Sequence, residues 1–263
     1  FAFGAMENLG CVTFRETLLL ADPATSTQAE LTRIVDVIAH EIAHMWFGDL
    51  VTMDWLNGIW LKEAFATFMQ VATTDAFRPS WQRWDSFSLE RGAASDTHAL
   101  RTTRPIEYPV ISPADAEGMY DVLTYEKGAA VVRMLEQFLE PETFRRGLKG
   151  YLERYAYANT ETTDLWDALE AATDVGVRAL MDTWIFQGGH PLVVVDPTDS
   201  GVRVSQHRFE YRHRDDDTQW HVPLILRASV DGEERDARLL LTDAAADVDL
   251  GGTPDWVVVN AGG

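Results

Sequence analysis

Close to residue 190 this 263-residue chain changes its period, and that change sets its fold class. Up to about Gln187 the apolar residues recur three and four apart, the spacing of helices that bury one face. Helices are expected from Gln28 through the residues before Gly48, from about Asn57 to Phe77, and over Trp81–Leu89, Glu126–Leu139, Glu142–Tyr155 and Asp164–Ala171. From Leu192 onward the text becomes short β-branched runs: Leu192–Val195, Val202–Ser205, His207–Tyr211, His221–Ala228, Ala237–Leu241 and Trp256–Val259. Turn residues separate these runs every ten or so positions, the signature of a small β-sandwich. The expected class is therefore α+β, with a mostly helical domain over residues 1–191 and a β-sandwich domain over 192–263.

The first long helix carries the chemistry. Thr27-Gln28-Ala29-Glu30 reads as a capping box, and Leu31, Ile34, Val35, Ile38 and Ile42 follow at helical spacing. His40-Glu41-Ile42-Ala43-His44 lies on this helix, so its two imidazoles sit one turn apart on one face and can reach a single ion. Zn²⁺ accepts neutral histidine nitrogen readily, and Glu41 stands beside it as a candidate general base. Glu63, on the next helix with eighteen residues between it and His44, completes a set of two His and one Glu. Catalytic zinc sites use three such protein ligands and leave a fourth position to water; structural sites are more often closed by cysteine, and this chain has only Cys11. Taken alone, Glu63 would read equally well as a solvated helix carboxylate.

With these residues in view the chain resembles the aminopeptidase N family of gluzincin zinc peptidases. The resemblance rests on Gly4-Ala5-Met6-Glu7-Asn8, on the His40–His44 segment with Glu63, on Tyr125-Glu126-Lys127-Gly128, and on Trp184-Ile185-Phe186-Gln187-Gly188-Gly189-His190-Pro191, all in the family's order. Trp220-His221-Val222-Pro223-Leu224 is also similar to the family's β-sandwich domain. Lys62 and Ala64 depart from the pattern, since relatives often carry Asn and Gly there.

The resemblance implies a thermolysin-like catalytic domain holding one Zn²⁺ on His40, His44 and Glu63, with Glu41 as general base and Tyr125 as donor to the oxyanion. It implies that Glu7 contacts the substrate's α-amine, that the Gly4-Ala5 backbone pairs with the peptide as an edge strand would, and that Asn8 belongs to the same binding segment. Met6, and by a weaker match Tyr120, would line the pocket for the first side chain, although both could be ordinary core residues. The implied activity is release of N-terminal residues from peptides. The family also contains a branch that opens a lipid epoxide with the same zinc, and relatives that have lost the metal and act as scaffolds.

Composition narrows the partners. A net charge of −20 argues against nucleic acid, because phosphate contacts need Lys and Arg. Asp215-Asp216-Asp217 and Asp231-Gly232-Glu233-Glu234 read as solvated acidic turns. No apolar run reaches the roughly 18 residues of a membrane span, so no membrane partner is expected. A single cysteine fits a reducing compartment, and the cytoplasm is the expected location. Gly188-Gly189 forms no phosphate loop between a strand and a helix. Phe1-Ala2-Phe3 begins almost on the exopeptidase-like segment, whereas the family has a domain before it and a helical domain after the sandwich; the chain reads as a truncated core. Such a core is expected to hold zinc with little peptidase activity, and to self-associate through an uncovered sheet edge.

Overall fold

The computed structural model describes residues 3–22, 24–100, 102–211 and 217–262. Phe1, Ala2, Asp215 and Asp216, all used in the sequence reading, lie outside the described residues.

Helices dominate the first part: α1 (Gln28–Ala43), α2 (Trp60–Phe77), α3 (Arg83–His98), α4 (Pro113–Glu117), α5 (Gly128–Leu139), α6 (Pro141–Arg154), α7 (Thr162–Glu170) and α8 (Val177–Ile185). Two short pairs accompany them. Strands β1 (Ala5–Met6) and β2 (Thr13–Phe14) are antiparallel, and β3 (Val51–Met53) and β4 (Ala158–Thr160) are parallel. The last part is all strand: β5 (Pro191–Thr198), β6 (Gly201–Arg208), β7 (Val222–Val230), β8 (Glu233–Leu241), β9 (Ala245–Asp249) and β10 (Trp256–Val259). These make two three-stranded antiparallel sheets, ordered β5-β6-β9 and β10-β7-β8. Val202 and Val204 from one sheet and Leu224, Leu226 and Ala228 from the other meet in a single apolar core. The chain is thus α+β.

α2 is the hub. Trp60, Leu61, Ala64, Phe65, Phe68 and Val71 are all buried, so the helix is covered nearly all round, as expected of one that runs through a core rather than along a surface. Trp60 meets Trp166 with ring centroids 5.6 Å apart, and Phe65 stacks on Phe47 at 4.8 Å. Polar clamps set the register of the neighbouring helices. The buried Asp36 of α1 accepts from Thr74 Oγ1 of α2 at 2.6 Å and from Arg83 Nε of α3 at 2.8 Å. Glu107 accepts from Trp60 Nε1 at 3.0 Å, from Asn57 Nδ2 at 2.6 Å and from Thr162 Oγ1, tying the starts of α2 and α7 together. α5 crosses α2 at Gly128, where an added Cβ would stand 2.6 Å from that of Ala64.

Trp184 joins the helical and strand cores, packing against both while its Nε1 donates to the His221 carbonyl at 2.8 Å.

Several expectations change in detail. Thr27 and Glu30 do form a reciprocal capping box at the start of α1. α7 starts at Thr162, two residues before the expected Asp164, and is capped by the Glu161–Asp164 pair. The helix expected from Glu126 begins as a π turn over Leu123–Lys127. α3 starts at Arg83 and runs on to His98, well past the expected end at Leu89. His207 belongs to β6 and Phe209–Tyr211 is not strand, so two expected strands are one. Glu233 and Glu234 open β8; only Asp231-Gly232 makes the turn, both with positive φ.

Candidate metal centre

His40 Nε2 and His44 Nε2 lie 3.1 Å apart, and each is 3.4 Å from Glu63 Oε2. A tetrahedral zinc with ligands at about 2.0–2.1 Å requires edges of about 3.3 Å between ligand atoms, so these three atoms already have the spacing of one face of such a site. His44 is 1% exposed, and its Nδ1 donates to the Phe47 carbonyl at 2.9 Å. That bond fixes the proton on Nδ1 and leaves the Nε2 lone pair toward His40 and Glu63, the tautomer a metal-binding histidine needs. Phe47 is in position because the chain leaves α1 through a tight turn ending at Gly48, whose φ of +129° favours glycine. The donor set, two imidazoles and one carboxylate on buried helices, fits Zn²⁺.

Glu41 follows His40 on the same helix and is 6% exposed. Its carboxylate approaches Glu7 and His44, all three offering atoms within 4.8 Å of one another. Burial, reinforced by the negative charges of Glu7 and Glu63, pushes its carboxyl up to about 7 against the opposing pull of His44 and Lys62. Glu41 Oε2 is buried without a hydrogen-bond partner among the described residues.

Lys62 ties this group together. Its Nζ is 2.6 Å from Glu7 Oε1 and 3.1 Å from Glu63 Oε1. Burial works against ionisation of Glu7, but the hydrogen bond and charge of Lys62 outweigh it and hold the carboxyl below its ordinary value. Tyr125 sits on the π turn, its ring stacked toward His40 with centroids 6.1 Å apart. Burial and the neighbouring Glu63 drive its hydroxyl far above the usual range, so it stays protonated. Arg104 and Asp121 anchor that turn: Arg104 donates to Asp121 Oδ1 at 2.5 Å and to Thr124 Oγ1 at 3.0 Å, and Asp121 Oδ1 accepts the Leu123 amide at 2.9 Å.

The segment around Glu7 lies beside this group. Gly4 is pressed on Leu18, leaving 2.8 Å for an added Cβ. Ala5 and Met6 pair with Phe14 and Thr13. Met6 and Tyr120 are 39% and 42% exposed, so neither is a core residue. Tyr120 lies near enough to feel the charges of Lys62, Glu63 and Glu7. Asn8 is exposed and its carbonyl accepts the Cys11 amide at 2.8 Å in a turn. Two members of the site escaped the sequence reading. Lys62 was noticed only as a departure from a pattern; a cation adjacent to a candidate ligand was the available signal. Asp49, whose carboxyl is raised by burial and the charge of Glu7 and whose Oδ2 is buried without a hydrogen-bond partner among the described residues, has no spacing to mark it.

The profile of the peptidase family M1 domain matches residues 1–184. Probable aminopeptidase 2 of Sulfurisphaera tokodaii is 40% identical over 261 residues, which cover 99% of this chain and 33% of that protein. Leucyl aminopeptidase of Saccharolobus solfataricus is 39% identical over 87% of the chain and 29% of its own length. Puromycin-sensitive aminopeptidase of Caenorhabditis elegans is 38% identical over 100% of the chain and 29% of its own length. The chain spans about a third of the length of these curated relatives. A family profile covering most of the helical part, together with this identity over nearly the whole chain, shows that the chain belongs to peptidase family M1.

Proposed function

We propose that this chain carries the zinc centre of an aminopeptidase, with a thermolysin-like catalytic domain over 1–191 and a β-sandwich domain over 192–263. The observation that carries the reading is the convergence of His40, His44 and Glu63 at zinc-ligand spacing, with Glu41 beside them, its Oε2 without a hydrogen-bond partner among the described residues.

His40, His44 and Glu63 would hold one Zn²⁺, which supplies Lewis acidity at the scissile carbonyl and acidifies water. The chain's own groups do the rest. Glu41 takes the proton of the attacking water on its carboxylate and hands it to the departing amine. Tyr125 donates its hydroxyl proton as a hydrogen bond to the developing oxyanion. Glu7, kept ionised, rewards a substrate whose first residue bears a free ammonium group. The backbone of Gly4 and Ala5 aligns the peptide, and Met6 and Tyr120 border the first side chain, where a flexible thioether suits varied shapes.

The test is metal analysis combined with hydrolysis of aminoacyl p-nitroanilides, on the full gene product carrying this chain. One zinc per chain is expected. Glu41→Gln should retain that zinc and lose about 10²–10⁴ in rate. A Glu41→Gln protein that hydrolyses at the wild-type rate, or a wild type that binds no zinc, overturns the reading.

A further inference from the structure

A cavity of about 350 Å³ lies between α3, α5 and β7, away from the zinc-ligand cluster. We propose that it binds an apolar monocarboxylate, with Lys127 and His190 holding the carboxylate and the aliphatic wall holding the chain.

Charge makes the first argument. The chain has 42 Asp and Glu against 22 Lys and Arg, yet among the described residues none that lines this cavity is acidic. Among the described residues its titratable lining is Arg91, His98, Lys127 and His190. Three of these form one patch of wall. Lys127 Nζ is 3.0 Å from His98 Nδ1 and donates to the Gly189 carbonyl at 3.2 Å, and the His98 and His190 rings lie 6.4 Å apart.

The second argument is an accounting of donors. Lys127 is 7% exposed and has no carboxylate partner among the described residues. A lysine ammonium has three N–H groups, and its two partners here, the Gly189 carbonyl and the His98 ring, whose Nδ1 and Nε2 lie 3.0 and 3.4 Å from Nζ, leave one of them unspent. His190 Nδ1 is buried with no partner among the described residues. Asp96, the acid whose charge reaches His190, already accepts the Tyr211 hydroxyl at 2.6 Å and does not line the cavity. A buried cation without a counter-charge is unfavourable. In Lys127 burial, with the charges of Arg104 and Arg208, brings the amine down to about 7. A ligand carboxylate supplies the missing charge, and its two oxygens match the two spare donors.

The third argument is the remaining wall. Met134, Phe138, Trp184 and Leu224 offer apolar surface. Ligand pockets start at about 300 Å³, so the space suits a short aliphatic acid rather than a peptide. An inorganic anion would leave this wall unused, and an uncharged alkane would leave Lys127 unpaired.

Isothermal titration of the 263-residue chain with octanoate, hexanoate and octan-1-ol tests this. Octanoate should bind once per chain, about 15-fold tighter than hexanoate, since each buried methylene contributes about fourfold. Octan-1-ol should bind at least tenfold more weakly. Lys127→Met should lower octanoate affinity at least tenfold and leave octan-1-ol unchanged, whereas Ala130→Trp should abolish both by filling the space. In the wild type, ¹³C-methyl methionine spectra should show octanoate shifting Met134, a readout that needs no variant to fold. No octanoate binding at millimolar concentration, equal affinity for octan-1-ol, or a bound state that leaves Met134 unmoved overturns the proposal.

Discussion

Lys62 Nζ lies 2.6 Å from Glu7 Oε1, so the carboxylate assigned to the substrate's α-amine already holds a cation of the same chemistry. The same ammonium reaches Glu63 Oε1 at 3.1 Å, leaving Oε2 to the two histidines. On the proposed assignment of Glu7, a substrate amine would share this carboxylate with Lys62. Lys62→Asn removes the competitor, and KM for alanine p-nitroanilide should fall roughly threefold to tenfold, the scale of one partly buried ion pair. Steady-state kinetics on the full gene product would check this. A raised KM would mean instead that Lys62 holds Glu7 in its working position.

Glu63 is held from two directions, by the imidazoles and by Lys62. Loss of a partner outside the ligand set typically weakens a metal site about 10–100-fold, and loss of a ligand should exceed that. Glu63→Ala is expected to weaken zinc by more than about 100-fold in competition with a chelator. Lys62→Met, which removes only the support, should weaken it about tenfold. The order of these two effects distinguishes ligand from support.

How much of this was legible depended on whether the residues that matter were close in sequence. The capping box at Thr27 and Glu30 and the His40–His44 spacing are local, and the helix they predict forms with the expected start, although it ends at Ala43 rather than running on to Gly48. The strand Trp256–Val259 was bounded by turn residues and came out with the expected ends. The π turn was invisible because its geometry is set from outside, by Arg104 reaching Asp121 and Thr124 across a loop. β9 was missed because Ala245–Asp249 carries a single β-branched residue, Val248, and becomes strand only by pairing with β6. The Lys62–Glu7 contact spans residues 55 apart, and no periodicity encodes it.

Tyr125 tests the chemistry separately from the metal. Its hydroxyl stays protonated beside Glu63 and His40, which suits a hydrogen-bond donor rather than a base. Tyr125→Phe should lower kcat by about 10²–10³ with KM little changed and zinc content intact. An unchanged kcat would reassign the oxyanion donor.

Gly128 fixes how closely the π turn and α5 approach α2. An added Cβ would stand 2.6 Å from the Ala64 Cβ, too close for either helix to keep its place. Gly128→Ala should destabilise the fold by about 1–3 kcal/mol, read as a lower urea midpoint with an unchanged slope. The double variant Gly128→Ala, Ala64→Gly should recover most of that loss, because the clash is between these two side chains.

The cluster at Lys127 makes stability depend on pH in a predictable direction. Burial, with the charge of Lys127, pushes His98 down to about 3; burial, with the charges of Lys127 and Arg208, pushes His190 down to about 4. Between these values and about 6.5 the unfolded chain binds protons at both histidines while the native chain does not. Acidification through that window therefore favours unfolding, and stability rises again as pH is raised to 6.5. Lys127, down to about 7 because it is buried near Arg104 and Arg208, acts in the same direction at higher pH, adding stability between about 7 and 10.5. Urea midpoints measured from pH 4 to 6.5 for wild type and His98→Asn check this. The many surface carboxylates contribute equally to both proteins and cancel in the difference. The variant should show a shallower dependence by about one proton; parallel curves would mean that His98 titrates normally in the folded chain.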